Sequence, residues 1–234
     1  MKRLLIAFLF CLLPSQAFGW MSIIQCGGST AAVDECAGYL KCQNLEGAGY
    51  DHSETWTETV GGTVDEDYTD TILRGAQSLS INDSSGDNLT YSTFTATSPL
   101  YFFFRFRPVS MPTGNNSILT IRTATATMAY LSLNGDTGEL RGYHGTSYEA
   151  AATTLTDGTT YFIWGHYVTG SGADGVLNVW IDTDRTKPAS AEITVTNGTS
   201  IADPTRIYAI QDNGGQGIYD QILVDDASIG DVPE

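Results

Sequence analysis

Basic residues are scarce in this chain of 234 residues: 11 Lys and Arg stand against 27 Asp and Glu, for a net charge of −16. Nucleic acid demands a basic face that releases counterions, and an anionic membrane demands a polybasic segment. The balance excludes both as general partners. Cysteine is rare as well, with four residues, and histidine is limited to His52, His144 and His166. No long stretch carries a helical period, and after residue 13 no apolar run is long enough to cross a bilayer as a helix.

What is present starts with "MKRLLIAFLFCLLPSQAFGW". Lys2 and Arg3 precede an apolar stretch from Leu4 to Leu13, and small residues follow. This is the pattern of a secretory signal peptide over 1–19, with cleavage expected after Ala17 or Gly19. The protein is then expected to be secreted or extracellular, or periplasmic in a bacterial host. Without Lys2 and Arg3, nine basic residues face 27 acidic ones, and the mature charge is near −18. That charge keeps a β-rich chain soluble and makes cation binding a reasonable expectation.

Cys26, Cys36 and Cys42 remain after the leader. An odd count predicts one disulfide and one free or buried thiol, or an intermolecular bridge. If "GYLKCQNLE" is extended, Cys36 and Cys42 lie too far apart to bridge. Cys26 is therefore expected to pair with Cys36 or Cys42 and to pin the N-terminal arm, 20–38. Sequons stand at Asn82, Asn88, Asn115 and Asn197.

Short alternating or apolar runs recur between Gly, Asn, Asp and Pro clusters. They predict strands near 39–45, 77–82, 90–96, 100–107, 117–122, 127–133, 138–144, 160–168, 175–182, 192–196, 205–211 and 217–225. Asn134-Gly135 between two alternating runs signals a hairpin. "YFFFRFR" (101–107) puts three phenylalanines on one face and Tyr101, Phe103, Arg105 and Arg107 on the other. "YFIWGHYV" (161–168) is apolar on both faces, as in a central strand. The expectation is one all-β domain over 20–234, a two-sheet antiparallel jelly-roll sandwich.

"TTYFIWGHYVTGSGADGVLNVWIDTD" (159–184) resembles the strand–turn–strand unit of laminin-G-like domains. "YLSLNGDTGELRGYH" (130–144) is similar to the hairpin before it, and "IYDQILVDDASIG" (218–230) to the closing strand. The resemblance covers 77–230 and implies the concanavalin A-like lectin/glucanase superfold. Thr183 replaces the glycine that usually follows the Asp of "VWID". The resemblance also implies a structural calcium ion, since jelly-roll carbohydrate-binding modules hold one between a Glu after the first strand and an Asp in the last. "NLEG" and "YDQILV" match in kind, so Glu46 and Asp220 are the expected Ca²⁺ ligands.

The glucanase string E-x-D-x-x-E of this superfold is absent. Lyases on jelly rolls use a His/Tyr pair, and adjacent strand residues such as His166 and Tyr167 face opposite sides. No catalytic residue is assigned. Sugars stack on exposed aromatics and bond to planar polar groups. Tyr143, His144 and Tyr148 in "RGYHGTSYE", with Arg105 and Arg107, are the expected ligand-binding residues. The reading is a non-catalytic recognition module with a glycan or polysaccharide partner and no membrane insertion. A polysaccharide hydrolase or lyase, or an adhesive surface protein with protein partners, is the alternative.

Overall fold

Fifteen strands carry the structure, a computed structural model that describes residues 39–43, 57–59, 63–75, 77–82, 88–211 and 214–232. In chain order they are β1 (Lys41–Gln43), β2 (Thr57–Thr59), β3 (Thr63–Tyr68), β4 (Ser78–Asn82), β5 (Asn88–Thr93), β6 (Leu100–Ser110), β7 (Asn115–Arg122) and β8 (Thr127–Asn134). There follow β9 (Glu139–His144), β10 (Ser147–Thr154), β11 (Tyr161–Val168), β12 (Gly175–Asp182), β13 (Ile193–Gly198), β14 (Arg206–Gln211) and β15 (Gln216–Asp225). The segments expected to form a signal peptide (1–19) and an N-terminal arm (20–38), together with Glu46 and His52, lie outside the described residues.

The strands form two antiparallel sheets. One runs β13-β12-β11-β6-β15-β4-β3, with β1 also paired to β15; the other runs β10-β9-β8-β7-β14-β5-β2. The jelly-roll expectation holds, and the first strand pairs with the last: Cys42 lies opposite Leu223. Cys42 is disulfide-bonded to a residue outside the described ones. Among the described residues no helix is long and apolar enough to cross a membrane.

Alternation builds the core. Phe102, Phe104 and Phe106 of β6 pack inward against Ile118, Ile121 and Leu131 of the facing sheet. Each such side chain, fully buried, contributes about 1.5–3 kcal/mol over its exposed state. Gly165 of β11 is forced by this packing, because a Cβ there would lie 1.9 Å from the Phe102 ring.

The outer face of the larger sheet carries a second apolar cluster of Phe103, Phe162, Trp164 and Leu223, covered by Ile229 and Val232 from the C-terminal tail. The Trp164 indole N–H donates to the Gly230 carbonyl at 2.9 Å, and Lys187 donates to the Ile229 carbonyl while its ammonium sits 4.0 Å from the Trp180 ring centroid. This cover explains why "YFIWGHYV" is apolar on both faces.

The Asn134-Gly135 signal does mark a hairpin, but Asn134 pairs with Glu139 across a four-residue loop. The Asn134 side chain accepts from the N–H groups of Asp136 and Thr137, and Gly138 takes a positive φ of 71°.

Candidate functional site

The outer face of the seven-stranded sheet is where aromatic side chains gather. In β9, Leu140, Gly142 and His144 are buried while Glu139, Arg141 and Tyr143 alternate toward solvent. Tyr143 lies opposite Tyr130 of β8 and Tyr148 of β10. The Tyr130 and Tyr143 rings stack at 4.3 Å and 5°, and Tyr143 and Tyr148 at 5.1 Å and 23°. The same register position continues through Thr120 on β7 and Tyr208 on β14. It ends at Tyr91 on β5 and Thr57 on β2. One row of cross-strand partners thus crosses all seven strands and holds five tyrosines. Six inter-strand steps at ~4.8 Å make it about 29 Å wide.

Arginines flank the row. The Arg122 guanidinium lies 5.2 Å from the Tyr208 ring centroid, and Arg206 Nη1 donates to the Tyr208 hydroxyl at 3.3 Å. Arg122 and Arg206 stand opposite each other on β7 and β14. Arg122 Nε–H is also buried without a hydrogen-bond acceptor, a deficit of about 1–3 kcal/mol. Thr120, Arg122, Thr127, Tyr130 and Tyr208 line a cleft of 280 Å³ at this point. On the other side of the row Arg141 is held by Glu139 and reaches Asn115 Oδ1 at 3.4 Å. Burial, then the neighbouring Tyr143, pushes the Tyr130 hydroxyl pKa up, so that group stays protonated.

Of the expected ligand-binding residues, Tyr143 and Tyr148 lie on this face; Tyr148 is 61% exposed. His144 does not. It is fully buried, stacks on Tyr167 at 4.7 Å, and bonds the Val168 carbonyl through Nε2 at 2.9 Å. Gly175 and Gly198 make its slot, since a Cβ on either would meet the ring within 2.5 Å. Strand alternation is the reason: neighbours in β9 cannot share a face.

Arg105 and Arg107 are on the other sheet, away from the tyrosines. Arg105 was expected on an open face but is only 4% exposed. Its Nε donates to Gln221 Oε1 at 2.9 Å and its Nη1 to the Leu73 carbonyl at 3.4 Å, beneath the segment between β3 and β4. Arg107, opposite Ile218, is half-buried.

Asp220 is fully buried beside Arg105. It sits where the outer edge of β15 changes partner, from β4 (Gln216–Tyr219) to β1 (Ile222–Val224). A bulge marks the change, with Gln221 at φ 46°. Asp220 Oδ2 accepts from the Ser78 hydroxyl at 3.1 Å and Oδ1 from the Gln221 N–H at 2.7 Å. Burial pushes its pKa up to about 7, against the pull of Ser78, Arg105, Gln221 and Arg74. Calcium takes six to eight oxygens. Each Asp220 oxygen accepts one hydrogen bond and a guanidinium lies alongside, while Glu46, the other expected ligand, lies outside the described residues. Among the described residues no group of three or more His, Cys, Asp or Glu could hold an ion.

Sequence reasoning missed Tyr130, Tyr208, Arg122 and Arg206. Alternation in "TMAYLSLN" and "RIYAIQ" sets each tyrosine opposite to its core-facing neighbours. What brings them into line with Tyr143 is register, which spans 78 residues of chain and leaves no local trace.

No family model matches the sequence, and no curated protein matches it. Solved structures match the fold. An endo-β-1,4-glucuronan lyase from the fungus Trichoderma reesei superposes with a TM-score of 0.58 at 12% identity, over 81% of this chain and 96% of that one. A PL-14 alginate lyase from Aplysia kurodai gives 0.58 at 7% identity, over 80% and 99%. The receptor-binding domain of botulinum neurotoxin type G gives 0.53 at 9%, over 82% and 48%. At these identities the likeness is one of β-sandwich fold.

Proposed function

We propose that the protein is a secreted, non-catalytic recognition module of the laminin-G-like, concanavalin A-like kind, and that the outer face of its seven-stranded sheet binds a glycan chain. One observation carries this reading: a row of cross-strand partners that crosses the whole sheet and sets Tyr130, Tyr143 and Tyr148 in a continuous stack with Tyr208 further along. Aromatic rings offer apolar faces to sugar C–H groups, and hydroxyls at their rims offer hydrogen bonds. Tyr148 is exposed and Tyr130 and Tyr143 are half-buried, so a sugar can reach this end of the row, whereas Thr120 and Tyr208 are buried. The fold likeness to domains whose names specify glucuronan and alginate is in keeping with this reading.

Recognition is favoured over cleavage by the chemistry of the face. Among the described residues neither histidine lies on it: His144 turns to the core and His166 stacks on Tyr101 in the other sheet. Tyr130, third in the row, has its hydroxyl pKa raised rather than lowered, the wrong direction for a proton-abstracting base.

The test is a polysaccharide panel on the purified chain, scored for retention and for release of new chain ends. Retention without cleavage supports the module. Cleavage replaces this reading with the enzyme. No retention of any glycan removes it and moves the search to protein partners.

A further inference from the structure

β10 carries Ala150, Ala151 and Ala152 in mid-strand, a residue type that strands tend to avoid. Tyr148 and Ala150 take outward positions, opposite Tyr143 and Arg141 of β9. β10 is also the edge strand of its sheet. Tyr148 is therefore the last ring of the stack. Tyr143 covers one of its faces, and among the described residues no ring covers the other. Beside it, the small Ala150 side chain leaves the Arg141 guanidinium uncovered from the edge. Arg141 gives both Nε and Nη2 to one oxygen of Glu139, Oε2, and its Nη1 reaches Asn115 Oδ1 at 3.4 Å. The second Glu139 oxygen, Oε1, has no donor among the described residues, and the Arg141 and Glu139 side chains are 24% and 32% exposed. The outward charges of β8, β9 and β10 thus sum to zero. The remaining charged residue of these strands, Glu149, stands opposite Gly142 at a core-facing register position and accepts from the Thr194 N–H.

We infer that the glycan held here is neutral: a sugar ring lies on the open face of Tyr148 above Ala150, and the Arg141–Glu139 pair binds its hydroxyls. The inference rests on the glycan reading of the tyrosine row and specifies its ligand. The pair sets a planar donor fork beside a carboxylate acceptor. That suits neighbouring sugar hydroxyls, each of which both donates and accepts. Tyr148 and Arg141 are diagonal neighbours across β10 and β9. Such positions lie about 7–8 Å apart, within reach of long side chains, so both can touch one ring. An acidic sugar meets opposite conditions. Its carboxylate would compete with Glu139 for the one guanidinium of these strands and would lie close to a like charge.

Binding by the full chain is measured by affinity electrophoresis and calorimetry against laminarin and galactomannan (neutral) and alginate (acidic), at low and high salt. The expected result is retention of a neutral polymer with an affinity that salt does not change, since no net charge is matched. Tyr148→Ala and Arg141→Gln should each weaken it about tenfold or more at unchanged melting temperature. If Arg141→Gln lowers the melting temperature, Glu139→Gln makes the same test from the acceptor side. Alginate bound more tightly than either neutral polymer overturns the inference and leaves the glycan reading standing. Neutral binding that is indifferent to either variant does the same. Retention of none of the three overturns the inference, and with it, where the wider polysaccharide panel is also silent, the reading on which it rests.

Discussion

Arg105 and Asp220 stand opposite each other in the register of β6 and β15, and both are buried. Their surroundings complete a polar cluster inside an apolar face: Ser78 and Gln221 donate to the carboxylate, and Gln221 and Leu73 accept from the guanidinium. Removing Arg105 strands Gln221 Oε1 and the Leu73 carbonyl without their donor, while Asp220 keeps both of its own. Arg105→Met is therefore expected to cost about 2 kcal/mol or more of folding free energy. Urea unfolding of the variant checks this; a loss under about 1 kcal/mol would mean that water reaches the cluster.

The same site makes stability depend on pH. Burial is the largest influence on Asp220 and raises its pKa to about 7, against about 3.9 in the unfolded chain. The folded state then holds the proton over a range in which the unfolded state has released it. The stabilisation is complete below about pH 4, declines as pH rises, and is gone above about pH 7. His144 and His166, whose pKa values burial lowers, act in the opposite sense. What they contribute is present above the unfolded value and drains away as pH falls. Asp220→Asn leaves them in place, so the difference in melting temperature between the native protein and this variant isolates the carboxyl. That difference should shift toward the variant between pH 4 and 7 and be flat from 7 to 9.

Arg105 bears on calcium as well. The ion was expected to hold Glu46 and Asp220 together and to supply positive charge at Asp220. A guanidinium already lies beside that carboxyl, within reach to lower its pKa. Chelation by EDTA is accordingly expected to leave the melting temperature unchanged. A fall that added Ca²⁺ reverses, and that Glu46→Gln reproduces, would show a shell completed from outside the described residues.

The fold was more legible than the site. All twelve expected strands correspond to observed ones, because β-branched and aromatic alternation is a local signal. The strands overlooked have other compositions. β3, "TVDEDY", reads as an acidic loop, and β10, "SYEAAATT", carries three alanines where a strand usually shows larger residues. Tyr143 and Tyr148 could be picked out from a hairpin end, and alternation alone would have sent His144 inward. Arg105 could not be placed, since its cover comes from the Leu73 region and from Gln221, far away in sequence. The tyrosine row is a property of register, which pairs residues as distant as Tyr130 and Tyr208 only through the intervening strand.

β10 and β13 end their sheets on the same side of the sandwich, and side chains lace them together. Glu192 accepts from both the N–H and the hydroxyl of Thr153 at 2.8 and 2.7 Å, while Glu149 accepts from the Thr194 N–H at 3.0 Å. Unpaired edge N–H groups invite pairing with other chains. The two carboxylates occupy them instead. Glu192→Ala is expected to cost about 1.5 kcal/mol, the scale of a hydrogen bond to a charged group, and to raise the tendency to associate. Unfolding and light scattering at matched concentration test the two parts separately.

Tyr143 is the residue at which stability and binding should come apart. It stacks on Tyr130 and Tyr148 at once, so Tyr143→Ala removes the middle of the ladder. Aromatic pairs contribute about 0.5–1.5 kcal/mol each beyond buried area, and the ring is half-buried. A stability loss of about 2 kcal/mol is expected, leaving a folded protein whose glycan affinity falls by about tenfold or more. Tyr148, largely exposed, makes the cleaner case: Tyr148→Ala should change stability by less than about 0.5 kcal/mol and still weaken binding. Tyr143→Phe separates the ring from its hydroxyl. Affinity retained by Phe assigns the contact to stacking on the ring face. Affinity lost by Phe and Ala alike assigns it to the hydroxyl, and the ladder then serves to aim that group at the ligand.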